Sequence, residues 1–230
     1  DPQGNATTGL GLSNTSQSDQ TIYGILNGTV SISNVIKQTK FQNLHLITSN
    51  VDLSGLELET AGDNDRAFIL KTKLTAYFND SGALYDYIFV DCPPSLSLLT
   101  VMALVSSDSL LVPLQTEFFA LEGLTQLMKT IDRIKVNLNP SLEIQGILLT
   151  MYDRRNRLSS QVEQEARDYL RIKFIKQSFL VMLGCLKPRH MVFLFLFMIK
   201  IVLEVNHIIV LQTSFLIKRI MSGVLRNEYD

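Results

Sequence analysis

Four consecutive apolar residues, Tyr87-Ile-Phe-Val90, run straight into Asp91-Cys-Pro-Pro94. A short run without polar alternation is the mark of a strand covered on both faces, as in a parallel sheet between helices, and the two prolines stop it abruptly. The same form returns at Ser109-Leu-Leu-Val-Pro113 and Ile144-Gln-Gly-Ile-Leu-Leu-Thr150. Between these runs the spacing predicts helices over Asp65–Phe78, Ser97–Leu104, Leu121–Val136 and Ser159–Leu170. In the third of them Leu124, Leu127, Met128, Ile131 and Ile134 recur at helical intervals. Strand and helix alternate, so the expected class is α/β, with a mainly parallel sheet flanked by helices. Upstream, Thr21–Lys37 suits two short helices broken at Gly28, and Leu44–Thr48 a short strand. Residues 1–14 read as a loop.

With 230 residues, 46% of them hydrophobic and 19% charged, the chain can bury a sizeable core. Disorder, collagen and a disulfide-stapled miniprotein are excluded. Two cysteines, Cys92 and Cys185, make neither a disulfide framework nor a metal site, which points to a reducing, cytoplasmic compartment. The chain opens on Asp1 without a signal peptide and reads as a piece of something longer. Charge divides it sharply. Residues 1–170 hold 12 Lys and Arg against 19 Asp and Glu, a net −7, whereas residues 171–230 hold 9 against 3, a net +6.

In parallel α/β folds chemistry gathers at the carboxyl ends of the strands. An acid placed like Asp91 can hold a hydrated Mg²⁺ beside phosphates, or merely cap a turn. Asp1-Pro-Gln-Gly-Asn5 puts a second carboxylate on a glycine-containing loop, where it can orient a water or belong to a solvated turn. Pro113-Leu-Gln-Thr-Glu117 brings polar groups to the same rim. His45, His190 and His207 lack partners at ligand spacing and read as structural. Arg154, Arg155 and Arg157 form a basic cluster that suits phosphates or a solvated face.

Taken together, these segments resemble one family. Asp1-Pro-Gln-Gly-Asn-Ala-Thr-Thr-Gly-Leu-Gly11, Tyr85–Ser95, Pro113–Leu124 and Gly146–Asp153 are similar to the ParA/Soj chromosome- and plasmid-partition ATPases, in that family's order and spacing, over residues 1–170. The resemblance implies a P-loop NTPase-like fold that uses ATP and Mg²⁺. It implies a homodimer formed around ATP, DNA binding without sequence preference, and hydrolysis stimulated by a ParB-type centromere-binding protein. It makes Asp1 the acid that orients the hydrolytic water and Asp91 the Walker B acid on Mg²⁺ through water. Gln3, Gly4, Asn5, Glu117 and Thr150 then belong to the nucleotide site. A cytoplasmic, nucleoid-associated protein is implied.

Two departures stand out. No Gly-x-x-x-x-Gly-Lys-Ser/Thr pattern, the loop whose N–H groups cradle phosphates, occurs in the 230 residues. Met102 also stands where the family usually has Asn. The fold is therefore expected to be incomplete, with the runs at Tyr87–Val90 and Leu110–Val112 beside open edges.

After Leu170 the resemblance stops. One permitted coding of Ser178-Phe-Leu-Val-Met-Leu-Gly-Cys-Leu-Lys-Pro-Arg-His-Met-Val192, read two bases on, spells IPRNVRLSEAPSHG, the family's own continuation, and the single codons of Met182 and Met191 both fit. Residues 171–230 are thus expected to be an out-of-frame tail of no reliable fold. The rival reading is a membrane tether over the apolar residues 191–217. Lys200, Glu204 and His207 lie inside that stretch and make it expensive, so a membrane is not expected. A non-enzymatic interaction fragment is the other alternative.

Overall fold

The computed structural model describes residues 1–12, 18–81, 85, 87–93, 95–117, 120–150, 152–153, 155–170 and 208–211. It opens with a turn, closed by Gly4 N–H donating to the Asp1 carbonyl at 3.0 Å, and a short helix α1, Asn5–Gly9. Helix α2, Ile22–Leu26, starts where the extended Thr21 turns its hydroxyl back to accept from the Tyr23 N–H. Gly28, at φ +85°, ends it, and α3 follows over Ile32–Val35. The two short helices broken at a glycine are as the spacing predicts. Residues 36–38, expected at the end of the second helix, are instead strand β1, Ile36–Gln38, paired antiparallel with β2, His45–Ile47. Ile36 lies half-buried against the core of neighbouring helices, which a β-branched residue achieves equally well in a strand.

Helix α4, Leu56–Glu59, and a 3-10 turn at Arg66–Phe68 lead into α5, Ile69–Ser81. The polar Asn79 and Asp80 continue that helix rather than ending it, because both are exposed on its outer face. Then come β3 (Ile88–Asp91), α6 (Leu98–Ser106), β4 (Ser109–Gln115), α7 (Ala120–Asn137), β5 (Glu143–Thr150) and α8 (Arg157–Leu170). Of residues 171–230 the structure describes β6, Ile208–Leu211.

The main sheet has the order β3-β6-β4-β5, with every neighbouring pair parallel. The α/β class with a parallel sheet is confirmed. The expectation of open edges holds at Tyr87–Val90, since among the described residues β3 is an edge strand of the sheet, and is corrected at Leu110 and Leu111, which pair with β6 on one side and β5 on the other. Backbone groups facing each other across an empty slot take whatever extended segment can satisfy them.

Two apolar clusters hold the layers together. In one, Leu110, Val112, Ile147 and Leu149 of the sheet meet Leu127 and Ile131 of α7 and Val162 and Ala166 of α8. In the other, Ile25, Leu56, Leu70, Leu74 and Met102 join the N-terminal helices to α5 and α6. Met102, the residue that departs from the family pattern, is 1% exposed and fills this second cluster. Val90 packs against both. At the margin, His45 Nδ1 and the Tyr85 hydroxyl lie 2.8 Å apart with their rings edge to face, a structural contact.

Candidate functional site

The carboxyl end of β3 and the opening turn of the chain meet. The α-amino group of Asp1 donates to the Asp91 carbonyl at 3.0 Å, across 90 positions of sequence. The turn then shapes itself around the Asp1 carboxylate, whose Oδ1 accepts from the Gln3 N–H at 3.0 Å and whose Oδ2 accepts from Asn5 Nδ2 at 3.4 Å. Gly4 sits buried between them at φ +63°, a conformation that a side chain would strain. A second long-range tether fixes α1. The buried Thr7 hydroxyl accepts from Ser49 N–H at 3.1 Å and lies 3.5 Å from the Ser49 carbonyl, in the segment after β2. The opening turn and α1 are thereby held beside two separate strands.

Asp91 is followed by Cys92, 2% exposed, whose thiol burial pushes up to about 12; the chain's amino group opposes this and Asp91 adds to it. A thiol so placed stays protonated and is no nucleophile. The loop then enters α6 through Ser97.

Glu117 and Thr150 stand elsewhere on the rim. Thr150 ends β5 opposite Gln115, the last residue of β4. Glu117 is exposed, two residues beyond β4, and its carbonyl accepts from Ala120 N–H at the start of α7. Register gives the offset. Asp91 pairs with Leu211, and Leu211 with Leu111, so β4 continues four residues past the level of Asp91, about 13 Å at ~3.3 Å per residue. The rim is stepped. The structure brings Asp1, Gln3, Gly4, Asn5 and Asp91 together and leaves Glu117 and Thr150 on the taller shelf.

Three polar atoms along this rim are enclosed without a hydrogen-bond partner among the described residues: Ser97 Oγ below the step, and Gln115 Nε2 and Thr150 Oγ1 on the shelf. Such atoms are costly unless a ligand satisfies them, so the rim suits a polar ligand. Two carboxylates suit a hard cation, and Mg²⁺ commonly takes only one or two from the protein while keeping water and phosphate oxygens. Among the described residues no three His, Cys, Asp or Glu cluster as an all-protein metal cage. Ser97 and Gln115 were not singled out by spacing, because an unsatisfied atom is a property of packing and leaves no trace in sequence. The Thr7–Ser49 clamp was equally invisible.

The basic cluster contracts on inspection. Arg155 turns back on Asp153, Nε to Oδ1 at 3.1 Å and Nη2 to Oδ2 at 3.0 Å, and these bonds hold the Asp153 carboxyl below its usual range. Arg157 opens α8, exposed, and Arg154 lies outside the described residues. A cavity of about 470 Å³ between the Gly28–Ser33 turn and α5 contains none of the predicted site residues. No helix among the described residues is long and apolar enough to cross a membrane.

Residues 1–144 match the model of an AAA domain family. The chain is 48% identical over 167 residues to the chromosome partitioning protein ParA of Caulobacter vibrioides, covering 73% of this chain and 61% of that one. It is 44% identical over 176 residues to the sporulation initiation inhibitor protein Soj of Bacillus subtilis, covering 76% and 68%. Its fold is similar to a cobyrinic acid a,c-diamide synthase from Mycobacterium smegmatis, solved with an ATP analogue and magnesium, at TM-score 0.71 and 30% identity, over 79% of this chain and 70% of that one.

Proposed function

The chain belongs to the ParA/Soj family of partition ATPases, and from that premise we propose that its stepped rim is the acidic half of a Mg-ATP site serving DNA partition. The contact that carries this reading is the 3.0 Å bond from the Asp1 α-amino group to the Asp91 carbonyl, which sets the turn that bears one acid against the strand end that bears the other. Asp91 holds hydrated Mg²⁺. Asp1, its carboxylate oriented by Gln3 and Asn5, positions the attacking water as a base. Gly4 lets the backbone approach the phosphates, and Glu117 and Thr150 line the far end of the nucleotide. Bound Mg²⁺ supplies charge neutralisation at the phosphate oxygens. Dimerisation around ATP, non-specific DNA binding and stimulation by a ParB-type protein complete the cycle.

The 230 residues contain no phosphate-cradling Gly-x-x-x-x-Gly-Lys-Ser/Thr, so on their own they are expected to be inactive. Residues 1–170 are read as the partition ATPase portion and 171–230 as a tail translated out of frame. The match in coding across Met182 and Met191 supports that reading, as does the change of net charge from −7 to +6.

Calorimetric titration of the 230-residue chain with Mg-ATP should show no saturable binding at millimolar nucleotide. Extending the chain before Asp1 with a strand and a Lys-Gly-Gly-Val-Gly-Lys-Thr-Thr loop should restore binding. In that extended chain Asp1→Ala should abolish hydrolysis while sparing binding, and Asp91→Ala should weaken the Mg²⁺ dependence. Hydrolysis undiminished in Asp1→Ala sinks the assignment.

A further inference from the structure

The groove of about 470 Å³ between α5 and the Gly28–Ser33 turn carries a charge at each end. Its α5 wall is the stripe Lys73, Ala76, Tyr77 and Asp80, spaced i, i+3, i+4 and i+7 and therefore on one helix face. Opposite them, Val30 and the buried Ile32 give the turn an apolar wall. Charges seven positions apart on a helix stand about 10 Å from each other, too far to pair. Among the described residues, neither the Lys73 nor the Asp80 side chain has a hydrogen bond or an ion pair. Lys73 is half-buried, with Nζ 3.6 Å from where a Cβ would stand on Gly28. Its head is laid against the turn and not held out in water. Between the charges, Tyr77 packs against the core of the N-terminal helices. It shares a side-chain hydrogen bond with Tyr85, whose hydroxyl lies 2.8 Å from His45 Nδ1. The ring is held from two sides.

We propose that this groove docks a short polyproline II segment of a partner protein, with a carboxylate on Lys73 and, three residues along, a cation on Asp80. The charges define the chemistry and their spacing defines the conformation. A polyproline II helix has three residues per turn and a rise of ~3.1 Å, so side chains three apart share one side about 9 Å from each other. In a β-strand, residues three apart face opposite ways. The two residues between the charges lie over Ala76 and Tyr77, where prolines suit apolar walls and an aromatic face. A volume of about 470 Å³ is in the range of sites that enclose most of a small ligand. Such a segment is extended beforehand and loses little freedom on docking. Each charge contributes modestly, so the pair sets selectivity and register more than strength. The proposal is independent of the nucleotide reading, because no residue of the acidic rim lines the groove.

The test titrates the full chain, labelled with nitrogen-15, with the capped peptide Ala-Glu-Pro-Pro-Lys-Ala. Amide resonances of residues 28–33 and 73–80 should shift saturably. Ala76→Trp, at an exposed position, fills the groove without altering charge and should abolish those shifts. Lys73→Glu should weaken this peptide several-fold and make one with Lys-Pro-Pro-Lys the better ligand. Asp80→Lys should do the converse and favour Glu-Pro-Pro-Glu. Two independent gains of binding are expected, and each requires a folded groove, so lost stability in one variant cannot imitate the result. Absence of saturable shifts in the unsubstituted chain overturns the proposal. So does binding that neither charge substitution redirects. Tighter binding of an alanine-rich helical peptide with Glu and Lys seven positions apart also overturns it.

Discussion

The two halves of the rim are built in opposite ways. On the low side, the Asp1 turn and β3 are tied by a few hydrogen bonds that reach across 90 and 42 positions of sequence, and β3 itself depends on β6. On the high side, Gln115 and Thr150 end two strands that pair along seven positions and are backed by α7 and α8. The low side has the polar atoms of its opening turn oriented on one another and leaves Ser97 Oγ without a partner among the described residues; the high side leaves Gln115 Nε2 and Thr150 Oγ1 so. One side is ordered by tethers and can be loosened piecemeal. The other is ordered by its ladder and core, and fails only as a whole.

The sharpest way to break that contrast is truncation. Ile147→Ala removes a 1% exposed side chain from β5 and should cost about 2–5 kcal/mol in urea unfolding. Val90→Ala, at a half-buried position of β3, should cost about 1 kcal/mol and leave a single transition. Equal costs at the two sites would show that the halves are one unit.

Gly4→Ala probes the tethers themselves. At φ +63° a Cβ should cost about 1 kcal/mol, visible as a lowered thermal midpoint and faster hydrogen exchange at Gln3 and Asn5, with β4 and β5 unaffected. Loss of protection in β5 as well would extend the low side's influence beyond what its contacts suggest.

The smallest effect is in pH. The folded Cys92 thiol stands at about 12 against 9.0 for the ordinary group, because burial disfavours its thiolate. The unfolded chain then binds fewer protons than the folded chain between those values. The contribution is complete below pH 9 and is lost as pH rises toward 12. Stability measured at alkaline pH should decline in the unsubstituted chain and decline less in Cys92→Ala. Rapid alkylation of Cys92 in the folded chain near neutral pH would contradict its burial.

Much of this was legible. The runs at Tyr87–Val90, Ser109–Pro113 and Ile144–Thr150 announced their strands, since continuous apolar segments bounded by Asp, Pro or polar turns have few other places to go. The polar rim followed from where those runs end. The step did not, because register between strands two apart depends on the strand inserted between them. Nor did β6, since Ile208–Leu211 looks like any other part of an apolar tail and its partners lie too far away to leave a local mark. Strand β1 hid for a different reason. Three residues with one apolar side chain carry no period to read.

The position of β6 also sets a timetable for synthesis. Ile88 leaves the ribosome 120 residues ahead of its partner Ile208, roughly 6 to 24 s at ~5–20 residues per second. Through that interval, among the described residues, β3 has yet to meet its pairing strand and β4 has met only β5. Nascent chains on a crowded polysome therefore carry matching unpaired edges at the same moment, and chaperone demand should be greatest before Ile208–Leu211 emerges.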